Sequence, residues 1–165
     1  MYRYRSRSGP RRFSRVTRTT TRYTGATKYT TETQAGTTAL VAQTQSNLEI
    51  VPAAGITGVR KVKHITLNLG SDVTAQSYAW YVLVFVPEGQ NQPRNMSTQQ
   101  QAGASIYEPN QHVMARGIIQ FAAGTNRIST PLARNLNAGD RIYLCLVPNQ
   151  NMNVAWSCQY AITFN

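Results

Sequence analysis

Residues 78–87 read YAWYVLVFVP, and this apolar run decides the fold class of the chain. It has about half the roughly 20 residues that a membrane-spanning helix needs. Aromatic and β-branched residues are enriched in strands, and an unbroken apolar run of this length is typical of a strand covered on both faces. Pro87, Glu88 and Gly89 then end it with a turn signal. We therefore predict a central, buried strand at Tyr78–Val86 and no membrane anchor.

The sequence around this run has the same character from residue 39 onward. Short segments rich in Val, Ile, Thr and Tyr alternate with Gly, Pro and Asn clusters, which is the usual pattern of strands joined by turns. Further strands are predicted at 40–51, 59–69, 113–121, 127–132, 140–147 and 154–164, with a short piece near Leu136. Seven or eight strands without interleaved helices favour an all-β fold, an antiparallel sandwich or eight-stranded jelly roll.

Alternation within the segment 59–69 predicts which of its side chains face the core. Strand side chains alternate sides with a period of two residues. The apolar side chains Ile65, Leu67 and Leu69 are expected to point inward, with Lys61 and Lys63 on the same face. The opposite face would then hold Arg60, Val62, His64, Thr66 and Asn68.

The tryptophans and cysteines of the strand segments are expected to be structural. Trp80 and Trp156 are interpreted first as core residues and second as subunit contacts, since large aromatic side chains dominate both kinds of burial. Cys145 and Cys158 are interpreted as buried free thiols in preference to a bridge. Two cysteines cannot form a disulfide-rich secreted scaffold.

The charge of the chain is concentrated near its amino terminus. Of 17 lysines and arginines, nine precede Thr31, whereas all six acids follow it. The opening segment consists mainly of Arg, Thr, Ser, Tyr and Gly, so it has too few aliphatic residues to repay the entropy of folding alone. We predict a flexible, Arg-rich arm over residues 1–38 and one folded domain over residues 39–165.

The arm has the composition of a segment that binds single-stranded nucleic acid, because guanidinium groups pair with phosphates and aromatic rings stack on unpaired bases. The candidate phosphate contacts are Arg3, Arg5, Arg7, Arg11, Arg12, Arg15, Arg18, Arg22 and Lys28, and the candidate stacking residues are Tyr2, Tyr4, Phe13, Tyr23 and Tyr29. With nine such contacts, log affinity would fall with log salt at a slope of about −6. A solvated tail or a nuclear-import signal is the alternative interpretation, and import is compatible with nucleic-acid binding.

Arg60, Lys61 and Lys63 form a second cluster of cations, outside the arm. They are added to the nucleic-acid-binding candidates as a possible interior surface near the arm. The alternative is an ordinary solvated edge whose charges discourage unwanted strand pairing. The sequence leaves both interpretations open.

Nothing in the sequence nominates a catalytic site. The spacings GxSxG, HExxH, GxxxxGK[ST] and GxGxxG are absent, and the histidines are only His64 and His112. A zinc site would need about four clustered Cys or His ligands, whereas the two histidines and two cysteines are scattered. We expect no enzymatic activity, no metal and no cofactor. The opening residues also lack the apolar stretch of a secretory signal, so no export is expected.

Three stretches of the sequence are SYAWYVLVFVPEGQ at 77–90, IYEPNQHVMARGII at 106–119 and RNLNAGDRIYLCLV at 134–147. They resemble capsid proteins of the small circular Rep-encoding single-stranded DNA viruses, the circovirus-like group. Together with the Arg-rich opening, the resemblance covers nearly the whole chain. It implies an eight-stranded jelly roll, an icosahedral shell of about sixty copies, and an arm that reaches inward to circular single-stranded DNA.

The resemblance also implies partners and a location. The partners would be other copies of the chain, the single-stranded DNA genome and the host nuclear import machinery, with no membrane. The protein would reside in the virion, and in the host nucleus during assembly. Two other functions stay open: the coat protein of a small single-stranded RNA or satellite virus, and a monomeric nucleic-acid-binding β-barrel with a basic tail.

Overall fold

In a computed structural model, the chain forms an antiparallel β-sandwich. The structure describes residues 29–55, 58–73, 76–90, 93, 112–121 and 124–164. The strands within these ranges are β1 (Thr30–Leu40), β2 (Ser46–Val51), β3 (Arg60–Ser71), β4 (Tyr78–Val86), β5 (His112–Gln120), β6 (Asn126–Thr130), β7 (Arg134–Leu136), β8 (Arg141–Pro148) and β9 (Met152–Phe164). The same ranges contain no helix with the length and apolar character needed to cross a membrane.

The strand order is that of a jelly roll. The first sheet has the order β1-β9-β3-β6, with β7 also paired to β3, and the second sheet has the order β2-β8-β4-β5. Strand β6 pairs with residues 65–69 of β3 and β7 with residues 60–62, so the two take the place of one strand broken after Thr130. Pro131 lies at the break, where it has no N–H to donate to the ladder. With this broken strand counted once, eight strands form two sheets of four, which confirms the predicted fold class.

The core lies between the sheets and is built from alternate residues of their strands. In β8, Ile142, Leu144 and Leu146 are fully buried, and Leu83 of the neighbouring strand β4, which pairs with Leu144, belongs to the same apolar cluster. Strand β4 has the predicted bounds, Tyr78–Val86. The apolar run that decided the fold class therefore forms a central strand of the second sheet.

The outer face of β4 is buried along only part of its length. A smaller apolar cluster on this face consists of Val82, Val84, Val86, Tyr143 and Cys145. Beyond it, Tyr78 and Trp80 are 40% and 45% exposed. The prediction that both faces are buried is therefore wrong for the first three residues of β4, and Trp80 is not a core residue. Trp156 is half-buried, packs against the core and donates from Nε1 to Thr38.

Strand β1 lies largely inside the segment predicted as arm, so the predicted boundary at residue 38 is wrong in this respect. Its burial pattern contains one buried residue, Leu40. It is an edge strand that pairs with β9 from Thr30 to Leu40 without a register shift. Backbone hydrogen bonds and β-branched threonines stabilise it in place of aliphatic side chains. Residues 41–45, predicted as strand, form the turn between β1 and β2.

A β-bulge interrupts β3 at His64. The pairing of β3 with β9 shifts between Lys63 and Thr66, and His64 has a φ of 54°, in the left-handed region that residues other than glycine seldom adopt. An extra residue in a strand moves every side chain on one side of it to the opposite face. The strict alternation predicted along β3 therefore fails at this point.

The bulge decides which β3 residues face the core. After it, the inward side chains are Ile65, Leu67 and Leu69, as predicted. Before it, Arg60 and Val62 are buried, at 5% and 0% exposure. Lys61 and Lys63 alternate with these two and lie on the outer face of the first sheet. The prediction that the lysines share a face with the apolar residues is wrong.

Both cysteines are buried free thiols, as predicted. Cys145 lies in the apolar cluster on the outer face of β4 and β8, whereas Cys158 of β9 lies in the core between the sheets. Burial raises the pKa of each thiol to about 12. Neither cysteine therefore forms an appreciable amount of thiolate at neutral pH.

We expect neither thiol to react quickly with a colorimetric disulfide reagent in the native protein, because the thiolate is the nucleophile and both sulfurs are shielded. Absorbance should show slow, incomplete labelling at neutral pH and two thiols per chain after denaturation. Rapid release of a full equivalent without denaturant would contradict this arrangement. Cys145→Ser and Cys158→Ser would identify the reacting residue.

Candidate nucleic-acid interface

The N-terminal segment joins the sandwich beside the lysines of β3. Tyr29 directly precedes β1, and its ring lies under the ammonium group of Lys63, with Nζ 3.3 Å from the ring centroid. This is the geometry of a cation–π contact. A hydrogen bond with Lys63, helped by the charges of Lys63 and Lys61, lowers the pKa of the Tyr29 phenol. Residues 1–28 therefore connect to the folded part at a cationic position.

The outer face of the first sheet carries small or polar side chains. The residues that β1 and β9 place on it include Thr31, Thr33, Ala35, Thr37, Ala39, Asn153, Ala155, Ser157, Gln159 and Ala161. Strand β3 adds Lys61 and Lys63, and β6 adds Arg127, which is opposite Asn68. A flat face of hydroxyl and amide groups with several cations is suited to a phosphate backbone.

The described acids other than Asp140, which lies near Lys61, lie away from this cationic end. Glu32 of β1 points inward, where its carboxylate accepts a hydrogen bond of 2.6 Å from Tyr160 Oη. Asp72 follows the far end of β3, where it accepts hydrogen bonds from the backbone N and Nδ2 of Asn153 that lower the pKa of its carboxyl. The remaining ones, Glu49, Glu88 and Asp140, belong to the second sheet and its turns. The positive potential around Lys61 and Lys63 is therefore left largely uncancelled on the first sheet's outer face.

Arg60 does not belong to this surface, so its grouping with Lys61 and Lys63 as a nucleic-acid-binding cluster is wrong. Its guanidinium Nη2 donates to the carbonyl oxygens of Pro52 and Asp140, the latter at 3.2 Å. Its Nε has no hydrogen-bond partner within the described part of the chain. Arg60 therefore ties two chain segments together from inside the sandwich.

The predicted arm contacts lie outside the described residues, so their roles stay predictions. They are Arg3, Arg5, Arg7, Arg11, Arg12, Arg15, Arg18, Arg22 and Lys28, and the aromatic residues Tyr2, Tyr4, Phe13 and Tyr23. Among the predicted stacking residues, the structure describes Tyr29, which is 46% exposed. Its ring is accessible beside Lys63, as a stacking role requires.

A cleft of about 470 Å³ opens next to Lys61, between the end of β4 and strand β7. Phe85 forms its apolar part, and the guanidinium carbon of Arg134 lies 4.6 Å from the centroid of that ring. Asn135 and Asn137 add amide groups to the lining. Sequence reasoning missed this cleft because its residues come from segments far apart in the chain, with no motif that joins them.

The outer face of the second sheet has a different chemistry. Trp80 of β4 and Ile118 of β5 are cross-strand partners, and they are 45% and 50% exposed. Tyr78, two residues before Trp80 and on the same face of β4, is also exposed. Exposed aromatic and aliphatic side chains that lie together are typical of protein–protein contacts.

The histidines lie apart from each other. His64 occupies the bulge of β3, and the ring of His112 lies edge-on to Phe85 with the centroids 5.4 Å apart. Within the ranges that the structure describes, no three His, Cys, Asp or Glu side chains come together in a way that could hold a metal ion. The expectations of no metal and no enzymatic activity stay predictions.

No model of a known protein family matches the chain, and no curated protein matches its sequence. Among solved structures, the fold is similar to a chain in the structure of infectious bursal disease virus, Gx strain. The two chains are 8% identical and superpose with a TM-score of 0.38. The match covers 82% of this chain and 32% of the other, so this chain spans about a third of that protein.

Proposed function

We propose that this chain is the coat protein of a small virus, which assembles with copies of itself into an icosahedral shell and packages circular single-stranded DNA. The observation that carries the proposal is the distribution of charge on a jelly roll. Nine cations precede residue 31, and the chain enters the sandwich at Tyr29, beside Lys63 and Lys61. Jelly rolls are a common architecture of capsid walls.

Charge repulsion couples assembly to genome binding in this proposal. Arms gathered inside a shell repel one another until a polyanion neutralises them. Over about sixty copies, nine charges per arm would offset on the order of 500 phosphates at one-to-one pairing. Filled particles should therefore become less stable as salt screens these contacts.

The outer faces of the two sheets are suited to different contacts in a shell. The polar, cationic face of the first sheet is suited to the genome side. The apolar patch of Tyr78, Trp80 and Ile118 on the second sheet is suited to contact with another copy. The same arm would serve as a nuclear-import signal, with the protein in the host nucleus during assembly and in the virion afterwards. This role involves no catalysis, metal or cofactor.

Assembly in vitro tests the proposal. Protein stripped of nucleic acid in high salt is mixed with equal amounts of circular single-stranded DNA and single-stranded RNA of matched length, and the salt is then lowered. We expect particles in negative-stain images that protect DNA from added nuclease. Protection of RNA in preference to DNA would instead support an RNA coat protein. Protein that stays monomeric in size-exclusion chromatography would support the binding-module alternative.

A further inference from the structure

We infer that the cleft between β4 and β7 binds a phosphate group of the packaged strand, so that the folded domain makes its own defined contact with nucleic acid. This inference rests on the proposed function and adds a site to it outside the arm. The residues that carry it are Lys61, Arg134 and Phe85, with the amides of Asn135 and Asn137 beside them.

The contact with Phe85 holds the guanidinium group of Arg134 in place for binding a phosphate. The guanidinium carbon lies 4.6 Å from the ring centroid, within the range of a cation–π contact. Phe85 itself is held by the core and is 8% exposed. An immobilised guanidinium loses less entropy when it binds, and its planar set of N–H donors matches two phosphate oxygens.

The charges in the cleft leave Lys61 and Arg134 available to an anion. Neither is ion-paired with an acid that the structure describes. Asp140 also lines the cleft, but its two carboxylate oxygens accept backbone hydrogen bonds from Glu88 at 2.9 Å and Asn137 at 2.7 Å. The carboxylate therefore holds the turn before β8, and it forms no ion pair with either of the two described cations.

The cleft continues the cationic surface at which the N-terminal segment enters. Lys61 lines the cleft, and Lys63, two positions along the same face of β3, lies over Tyr29. A volume of about 470 Å³ is within the range of small-molecule sites and is large enough for one nucleotide. A nucleic-acid strand that leaves the arm at Tyr29 therefore passes Lys63 and Lys61 before it reaches the cleft. We therefore assign the anion to a phosphodiester of single-stranded nucleic acid.

Charge-preserving variants of the full chain test the site. Arg134→Lys retains the charge but loses the planar donors, whereas Arg116→Lys makes the same change on β5 of the second sheet, away from both the cleft and the cationic face. Binding of a fluorescent 20-nucleotide oligo(dT) is measured by anisotropy across a salt series. We expect Arg134→Lys to weaken binding about five- to tenfold and Arg116→Lys to leave it unchanged. Titration of dTMP alone shows whether the site prefers a free nucleotide.

The outcomes separate this inference from the proposed function. The cleft does not bind the strand if both variants bind oligo(dT) as tightly as the wild type, or if Arg134→Lys weakens only the binding of dTMP. Either result would leave the coat-protein proposal intact. Loss of all binding in the wild type would instead remove the proposed function. If Arg134→Lys fails to fold, wild-type protein is irradiated with a 4-thiothymidine strand. Cross-links on residues 133–140 then support the site, and their absence overturns it.

Discussion

A full-length variant with glutamine at every cation of the N-terminal segment is expected to form shells that retain little nucleic acid. The substituted positions are Arg3, Arg5, Arg7, Arg11, Arg12, Arg15, Arg18, Arg22 and Lys28. Nine phosphate contacts give a slope of about −6 for log affinity against log salt, and their removal should leave a slope near −1 to −2 from the folded domain. The ratio of absorbance at 260 and 280 nm in purified particles, and anisotropy with oligo(dT) across a salt series, measure both effects.

The matched control replaces the eight arginines of this segment by lysine. Because it keeps every charge, it should retain the salt slope and most of the packaged nucleic acid. A glutamine variant that carries the wild-type load of nucleic acid would refute the role of the arm. A lysine control as empty as the glutamine variant would mean that guanidinium geometry, and not charge, holds the genome.

The strands of the core could be predicted because their patterns are set by burial. The run Tyr78–Val86 and the largely apolar segment 140–147, which forms most of β8, follow directly from exclusion of apolar side chains from water. Strand β1 could not be predicted in this way, since it contributes little more than Leu40 to the core. Its stability comes from pairing with β9, a contact about 120 positions away in the sequence.

The candidate site, too, could be predicted only in part from the sequence. The concentration of charge before residue 31 is visible in the sequence, and so is the proximity of Lys61 to Lys63. The side on which these lysines lie depends on the bulge at His64, which no local pattern marks. The cleft depends on strands β3, β4 and β7 meeting at one end of the sandwich. Period-two reasoning therefore identifies the elements but not the faces they present after an irregularity.

Arg60 provides the sharpest test of that difference, because the sequence groups it with the surface lysines and the structure places it inside. Arg60→Ala is expected to lower the free energy of unfolding by about 2–4 kcal/mol, since it leaves the carbonyl oxygens of Pro52 and Asp140 without their donor and opens a cavity. Arg60→Met fills most of the cavity but also leaves both carbonyl oxygens without their donor, so it should cost less than Arg60→Ala by the cavity contribution alone.

Nucleic-acid affinity distinguishes a structural Arg60 from a binding one. Chemical denaturation of subunits dissociated in high salt gives the unfolding free energies, and oligo(dT) anisotropy gives the affinities. Arg60→Met should keep the wild-type affinity and salt slope, because the buried guanidinium meets no phosphate. Lys61→Gln should instead preserve the free energy of unfolding and make the salt slope about 0.7 less negative, since one contact with a phosphate of the single strand is lost. A slope change in Arg60→Met as large as that in Lys61→Gln would return Arg60 to the surface cluster and contradict the position of the bulge.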